Sequence, residues 1–302
     1  MATASSPSTP PTGIRMMMTF YDIAMAPPVT KTCCSPNPWK ARLALNFKGV
    51  PYSTTWVSLP EIATVRRALA VPAARKFADG ADFYTLPMLS DPATESILGD
   101  SFDIAAYLQT TYPGCGAGDL FPAQSQSQSQ SQSQSLDYVF PGDLAMLVPL
   151  SQRREAEADS RLPLSEYARF NMHVDALFTT HVLLMLRGMP LDPATADLTR
   201  AEFVRRAGVA SWEDFALDGR KREGLKIAFR DMLGGLATLF LRDPAGPFLL
   251  GERASYADLI VGGWLRMMCV TLPAAEWEEA RGWHAGVFGR LYDALEKYME
   301  VK

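Results

Sequence analysis

Hydrophobic and polar positions change their spacing partway along this 302-residue chain. Up to about residue 113 the apolar residues fall in short runs rich in β-formers. Met18-Thr-Phe-Tyr-Asp-Ile-Ala24 reads as a strand and Tyr52 to Val57 as a second. Between them, Pro38 to Phe47 predicts a helix. Proline is tolerated in a first turn, Trp39, Leu43, Leu45 and Phe47 supply apolar contacts, and Gly49 closes it. A helix-prone stretch follows from Ile62 to Phe77. Phe83 to Leu89 reads as a third strand interrupted by Pro87. A turn at Asp91-Pro92 leads to a short fourth strand at Glu95-Ser-Ile-Leu98. Asp100-Ser101 then opens a helix running to about Tyr112. The predicted order is β-α-β-(α)-β-β-α.

Further on, the period becomes helical. Tyr167, Phe170, Val174, Leu177, His181 and Leu184 recur at spacings of three and four, predicting one helix from Leu164 to Arg187. Leu225, Phe229, Met232, Leu236 and Phe240 repeat the pattern. A third helix begins at Ser255-Tyr-Ala-Asp258, where Ser255 and Asp258 can form a capping box with Ala254 and Leu259 as a small staple. This half reads as all-α.

A Gln-Ser repeat from Gln124 to Ser135 separates the two patterns. With no apolar residue to bury it cannot offset the entropy of ordering, and it is expected to be a mobile linker. The expected division is a disordered tail at 1–15, an α/β domain at 16–113, a linker at 114–136 and an all-helical domain at 137–302. The tail is rich in Ser, Thr and Pro and lacks the apolar core of a secretory signal; its single arginine leaves an organelle-targeting reading open.

Composition narrows the function classes. A net charge of −4, with scattered basic pairs, gives no reason to expect nucleic acid. No apolar run approaches the ~20 residues of a membrane-spanning helix. Four cysteines, two of them adjacent, make no disulfide framework, and the three histidines complete no metal-site pattern. A reducing cytoplasm is the expected location.

The chemistry gathers at three points. Ser35 stands just before Pro36, within about a turn of the helix start, where unpaired N–H groups and a partial positive charge stabilise an anion. A hydroxyl there can donate to a thiolate without being consumed, which suits an enzyme whose nucleophile is a bound thiol. Leu86-Pro87 interrupts a strand; a cis bond there would turn the Leu86 N–H and C=O toward a peptide ligand. Asp100-Ser101 opens a helix where a carboxylate can be held, with Asp100 beside an ammonium group. Together they describe a site for an extended peptide with a thiol and an amino-acid-like end. Glutathione is such a molecule.

The segments "SPNPWKARLAL", "LPML", "GDSFDIAAYL" and "ASYADL" resemble, in order and spacing, the signatures of the glutathione transferase superfamily. More narrowly, "YDIA", "SPNPWKARLALNFKGVPY" and "FYTLPML" resemble its fungal etherase-like (FuA) class, which is similar to bacterial β-aryl etherases. The resemblance implies a thioredoxin-like α/β domain followed by an all-α domain, and a homodimeric detoxification enzyme with glutathione as co-substrate. It implies Ser35 as catalytic thiolate stabiliser, Leu86 and Pro87 as the clamp on the glutathione backbone, and Asp100 and Ser101 at the γ-glutamyl end. Asp100 departs from the usual glutamate. For the glycine carboxylate, spacing offers Arg75 or Lys76; Asn37 and Lys40 face the same helix start. The acceptor would be a small hydrophobic or aromatic electrophile, aryl ethers included.

Two rivals remain open in the sequence. Cys34, one place before Ser35, could serve a glutathione-dependent thiol-disulfide oxidoreductase if the helix start lowered its pKa. The fold could equally act as a non-catalytic carrier of aromatic compounds.

Overall fold

The computed structural model describes residues 17–77, 79–122, 136–142 and 164–302. The expected tail and the Gln-Ser repeat lie outside the described residues. Strand β1 (Met18–Ile23) pairs in parallel with β2 (Tyr52–Val57), in a register that sets Phe20 opposite Thr54. Parallel neighbours need a crossover. Helix α2 (Pro36–Phe47) supplies it, preceded by a single helical turn, α1 (Val29–Thr32). Strand β5 (Met88–Asp91) runs antiparallel to β1, and β6 (Ser96–Leu98) antiparallel to β5, so the sheet order is β2-β1-β5-β6. Helix α4 (Ser101–Thr111) closes this half.

Two expectations need correction here. The helix-prone stretch is helical only over α3 (Ile62–Ala68). Ala70 then takes a positive φ of 54°, and Pro72 lies in the irregular chain that follows. Phe83 to Leu89 is not one strand. Asp82–Phe83 (β4) pairs with Arg75–Lys76 (β3) in a separate ribbon, and β5 begins only after a cis Leu86–Pro87 bond. Proline has no N–H for the ladder, so pairing resumes beyond it.

The helical half comprises α5 (Leu164–Thr180), α6 (Leu183–Leu186), α7 (Ala196–Ala207), α8 (Gly219–Phe240), α9 (Tyr256–Thr271) and α10 (Ala274–Leu295). The single helix expected from Leu164 to Arg187 is broken at His181. The imidazole Nδ1 lies 2.8 Å from the Leu177 carbonyl, the acceptor that the His181 N–H would use in a continuing helix. That N–H turns instead to the Phe178 carbonyl. The apolar stripe survives the break, and all six of its residues are buried. The capping box is present: Asp258 accepts from the Ser255 N–H (2.7 Å) and hydroxyl (2.9 Å), and also from the Leu249 N–H (2.8 Å).

A large apolar core runs through both halves and takes in most of α9, and a smaller cluster of Val57, Leu59, Ile62, Val71, Leu86 and Met88 lies in the α/β half. Gly262 and Gly263 let α9 approach α2 closely. A Cβ on Gly262 would meet Leu295 at 2.5 Å and Leu43 at 3.2 Å.

Candidate functional site

Ser35 is the N-cap of α2. Its backbone is extended (φ −63°, ψ 125°), and its carbonyl accepts from the Trp39 N–H at 3.1 Å. The side chain makes no capping hydrogen bond and lines a cleft of about 440 Å³ between the two halves. Prolines at 36 and 38 remove two N–H groups from the first turn, so fewer main-chain donors face an anion than an ordinary helix start offers. The hydroxyl therefore carries a larger share of any stabilisation there.

The neighbouring thiols are placed differently. Cys33 and Cys34 are buried, and neither lines the cleft. Burial, with a smaller contribution from the Asp22 carboxylate, pushes the Cys33 thiol up to about 11. Burial raises Cys34 further still, followed by the effects of Cys33 and Asp22. The helix start does not activate either sulfur; loss of water dominates.

Leu86 lines the same cleft, next to Thr85. Pro87, Asp100 and Ser101 do not line it. Asp100 is the N-cap of α4, its Oδ1 accepting from the Phe102 N–H at 2.7 Å. Ser101 is buried, and its carbonyl accepts from the Tyr256 hydroxyl at 3.0 Å. The two segments are nonetheless tied together by Arg66, which sequence reasoning missed. Its buried guanidinium donates to the carbonyls of Thr85 (2.5 Å), Gly99 (3.0 Å) and Pro72 (2.6 Å). Glycine at 99 is what admits the arginine, since a Cβ there would lie 2.2 Å from Nη2. In the sequence Arg66 is one charge on a short helix, with no local pattern to mark it.

Of the two cations suggested by spacing, Arg75 lines the cleft, whereas Lys76 is exposed and paired with Asp82. Lys40 is fully buried. Its ammonium meets Asp175 and donates to Asn37 Oδ1 (3.0 Å) and Asn171 Oδ1 (2.9 Å). Asp175 also accepts from Trp264 Nε1 at 2.7 Å. Asn37 and Trp264 both line the cleft, so this network links its two walls. Val182, Leu186, Phe203, Phe215, Trp264 and Met267 make the helical wall mainly apolar. The histidines have structural partners: His173 accepts from the Phe140 N–H, His181 meets Leu177, and His284 meets the Arg230 carbonyl.

Residues 34–111 match the family model described as glutathione S-transferase, N-terminal domain, and residues 169–298 match that of the C-terminal domain. The glutathione S-transferase-like protein ustS of Aspergillus flavus is 27% identical over 292 residues, covering 93% of this chain and 90% of that protein. Among solved structures, the glutathione S-transferase CsGST63524 of Ceriporiopsis subvermispora in complex with glutathione is 28% identical. The match covers 95% of this chain and 99% of that one, with a TM-score of 0.70. Glutathione transferase GSTFuA3 of Phanerochaete chrysosporium is 25% identical, with coverage of 95% and 99% and a TM-score of 0.66.

Proposed function

This chain belongs to the glutathione S-transferase superfamily, and from that premise we propose that it conjugates glutathione to aromatic electrophiles through a thiolate stabilised by Ser35. The bound tripeptide sulfur lies beside the Ser35 hydroxyl, which donates to it. Leu86 and Pro87 hold the cysteine backbone, Asp100 and Ser101 the γ-glutamyl end, and Arg75 the glycine carboxylate. Arg66 supports this grouping, because it fastens the Leu86 segment to the Asp100 segment. The apolar helical wall receives the acceptor, aryl ethers included, in which the thiolate displaces an aryloxide. The reading extends to a homodimer, which sedimentation would test.

The observation that carries the proposal is the contrast at one turn of chain. The Ser35 side chain lines the cleft with no cap bond, while Cys33 and Cys34 are sealed in the core with raised pKa values. The same contrast weighs against an oxidoreductase working through Cys34, whose sulfur meets neither solvent nor cleft. A charge-assisted hydrogen bond is worth ~1.5–3 kcal/mol, or about one to two pKa units of thiol activation. In Ser35→Ala, thiolate absorbance of bound glutathione should titrate higher by that amount, and conjugation of model electrophiles should fall at neutral pH. An unchanged titration would remove Ser35 from the mechanism. Tight binding of aromatic ligands without turnover of any electrophile would favour the carrier.

A further inference from the structure

The cleft has a charged corner that thiol activation does not use. Helix α7 presents Thr199, Phe203, Arg206 and Ala207 to it, and the β3–β4 ribbon presents Arg75 and Phe83. The Arg206 guanidinium lies 4.9 Å from the Phe83 ring centre and that of Arg75 lies 6.0 Å from it. Beside them Arg205 stacks on Phe77 at 4.5 Å, and Phe77 packs on Phe83 at 4.5 Å. The ribbon is thus docked on α7 by guanidinium-ring contacts, which fix Arg206 in the cleft wall.

The carboxylate beside Arg206 is shared. Arg206 Nε donates to Glu202 Oε1 at 2.7 Å, and the same oxygen accepts from Arg205 Nη2 at 2.7 Å. One carboxylate serves two guanidinium groups, and the Arg206 side chain is only 12% exposed. Burial pulls its guanidinium below the ordinary value even with Glu202 alongside. Asp192 is, among the described residues, the one acidic residue in the cleft lining, and its Oδ1 accepts from the Ala194 N–H at 2.9 Å. Among the described residues Glu202 is the hydrogen-bond partner of Arg206, through Nε, so the far edge of the fork can meet a ligand in the cleft.

We infer that the acceptor is an aromatic acid whose carboxylate pairs with Arg206 while its ring lies against the apolar helical wall. This rests on the transferase reading and narrows its substrate class. A carboxylate in this cleft has a second source, the glycine end of glutathione. Arg206 is assigned to the acceptor because it stands on the helical half beside Phe203, whereas the tripeptide contacts and Arg75 lie on the α/β half.

The test compares 4-chloro-3-nitrobenzoate with its methyl ester. With either, the thiolate attacks the chlorine-bearing carbon, a C–S bond forms, and chloride leaves with its electron pair. The full chain should prefer the acid, and Arg206→Gln should lower the acid-to-ester ratio of kcat/KM about tenfold or more. Binding of the unreactive 3-nitrobenzoate and its methyl ester, with S-methylglutathione present, gives a calorimetric readout that needs no turnover. Tighter binding of the acid, lost in Arg206→Gln, supports the inference even if neither electrophile reacts, in which case the transferase reading fails alone. Equal or tighter binding of the ester by the unaltered protein overturns it without any variant. A loss in Arg206→Gln confined to S-methylglutathione affinity also overturns it, reassigning Arg206 to the tripeptide.

Discussion

Gly263 faces the carbonyl of Pro36 so closely that a Cβ at 263 would lie 2.6 Å from that oxygen and 3.0 Å from Lys40 Cγ. The contact joins the central helix of the second half to the turn that carries Ser35. Its obstacle is backbone, which cannot swing aside like a side chain. Gly263→Ala should therefore move the first turn of α2, costing about 1–3 kcal/mol as overpacking does. Thermal unfolding should register that loss. Turnover at a temperature where the variant stays folded should fall further than the population of folded protein explains. Full activity in a folded Gly263→Ala would mean that the turn tolerates displacement.

The Lys40–Asp175 pair is another link between the halves. Lys40 is fully buried and Asp175 is 19% exposed. Removing the carboxylate strands an ammonium in the core, so Asp175→Asn should destabilise by about 3 kcal/mol, the lower end for a broken buried pair. It also weakens the acceptor for Trp264. A Lys40→Met, Asp175→Leu double variant should recover much of that loss in chemical denaturation. Recovery would show that the cost lies in the unpaired charge rather than in packing.

Arg66 holds the Thr85 and Gly99 segments, on which the proposed glutathione contacts lie, in register through carbonyls alone. Arg66→Lys keeps the charge but cannot reach three acceptors from one plane. KM for glutathione should rise severalfold with kcat little changed, the split expected when a positioning residue is lost. Gly99→Ala, which crowds the guanidinium, should reproduce the split. A matching fall in kcat for both variants would instead point to the reacting sulfur.

Cys33 and Cys34 should be inert in the native protein. With a pKa of about 11, Cys33 is thiolate in only about one molecule in a thousand at about pH 8. Iodoacetamide followed by mass spectrometry should label the half-buried Cys115 and Cys269 first, and all four cysteines after denaturation. A glutathione adduct on native Cys34 would revive the oxidoreductase.

Much of this molecule is decided by local spacing. The α/β pattern, the helical stripe, the Ser255–Asp258 capping box, the helix opening at Asp100-Ser101 and the Leu86-Pro87 break follow from residues within a turn or strand of one another, whereas the helix expected from Pro38 starts at Pro36 and makes Ser35 its N-cap. Short-range sterics and hydrogen bonding act at that distance. Tertiary structure alone decided which groups share the cleft. It buried Cys34 and left the Ser35 side chain in the cleft wall, although the two are neighbours in the chain. It split one strand between a two-stranded ribbon and an inner strand of the sheet, and bent a continuous stripe at His181. It brought Arg66 to Thr85 and Gly99, Asp175 to Lys40, and Arg206 to Phe83. Those pairings join residues far apart in the chain, and burial and charge compensation between them arise only once the two halves close on one core.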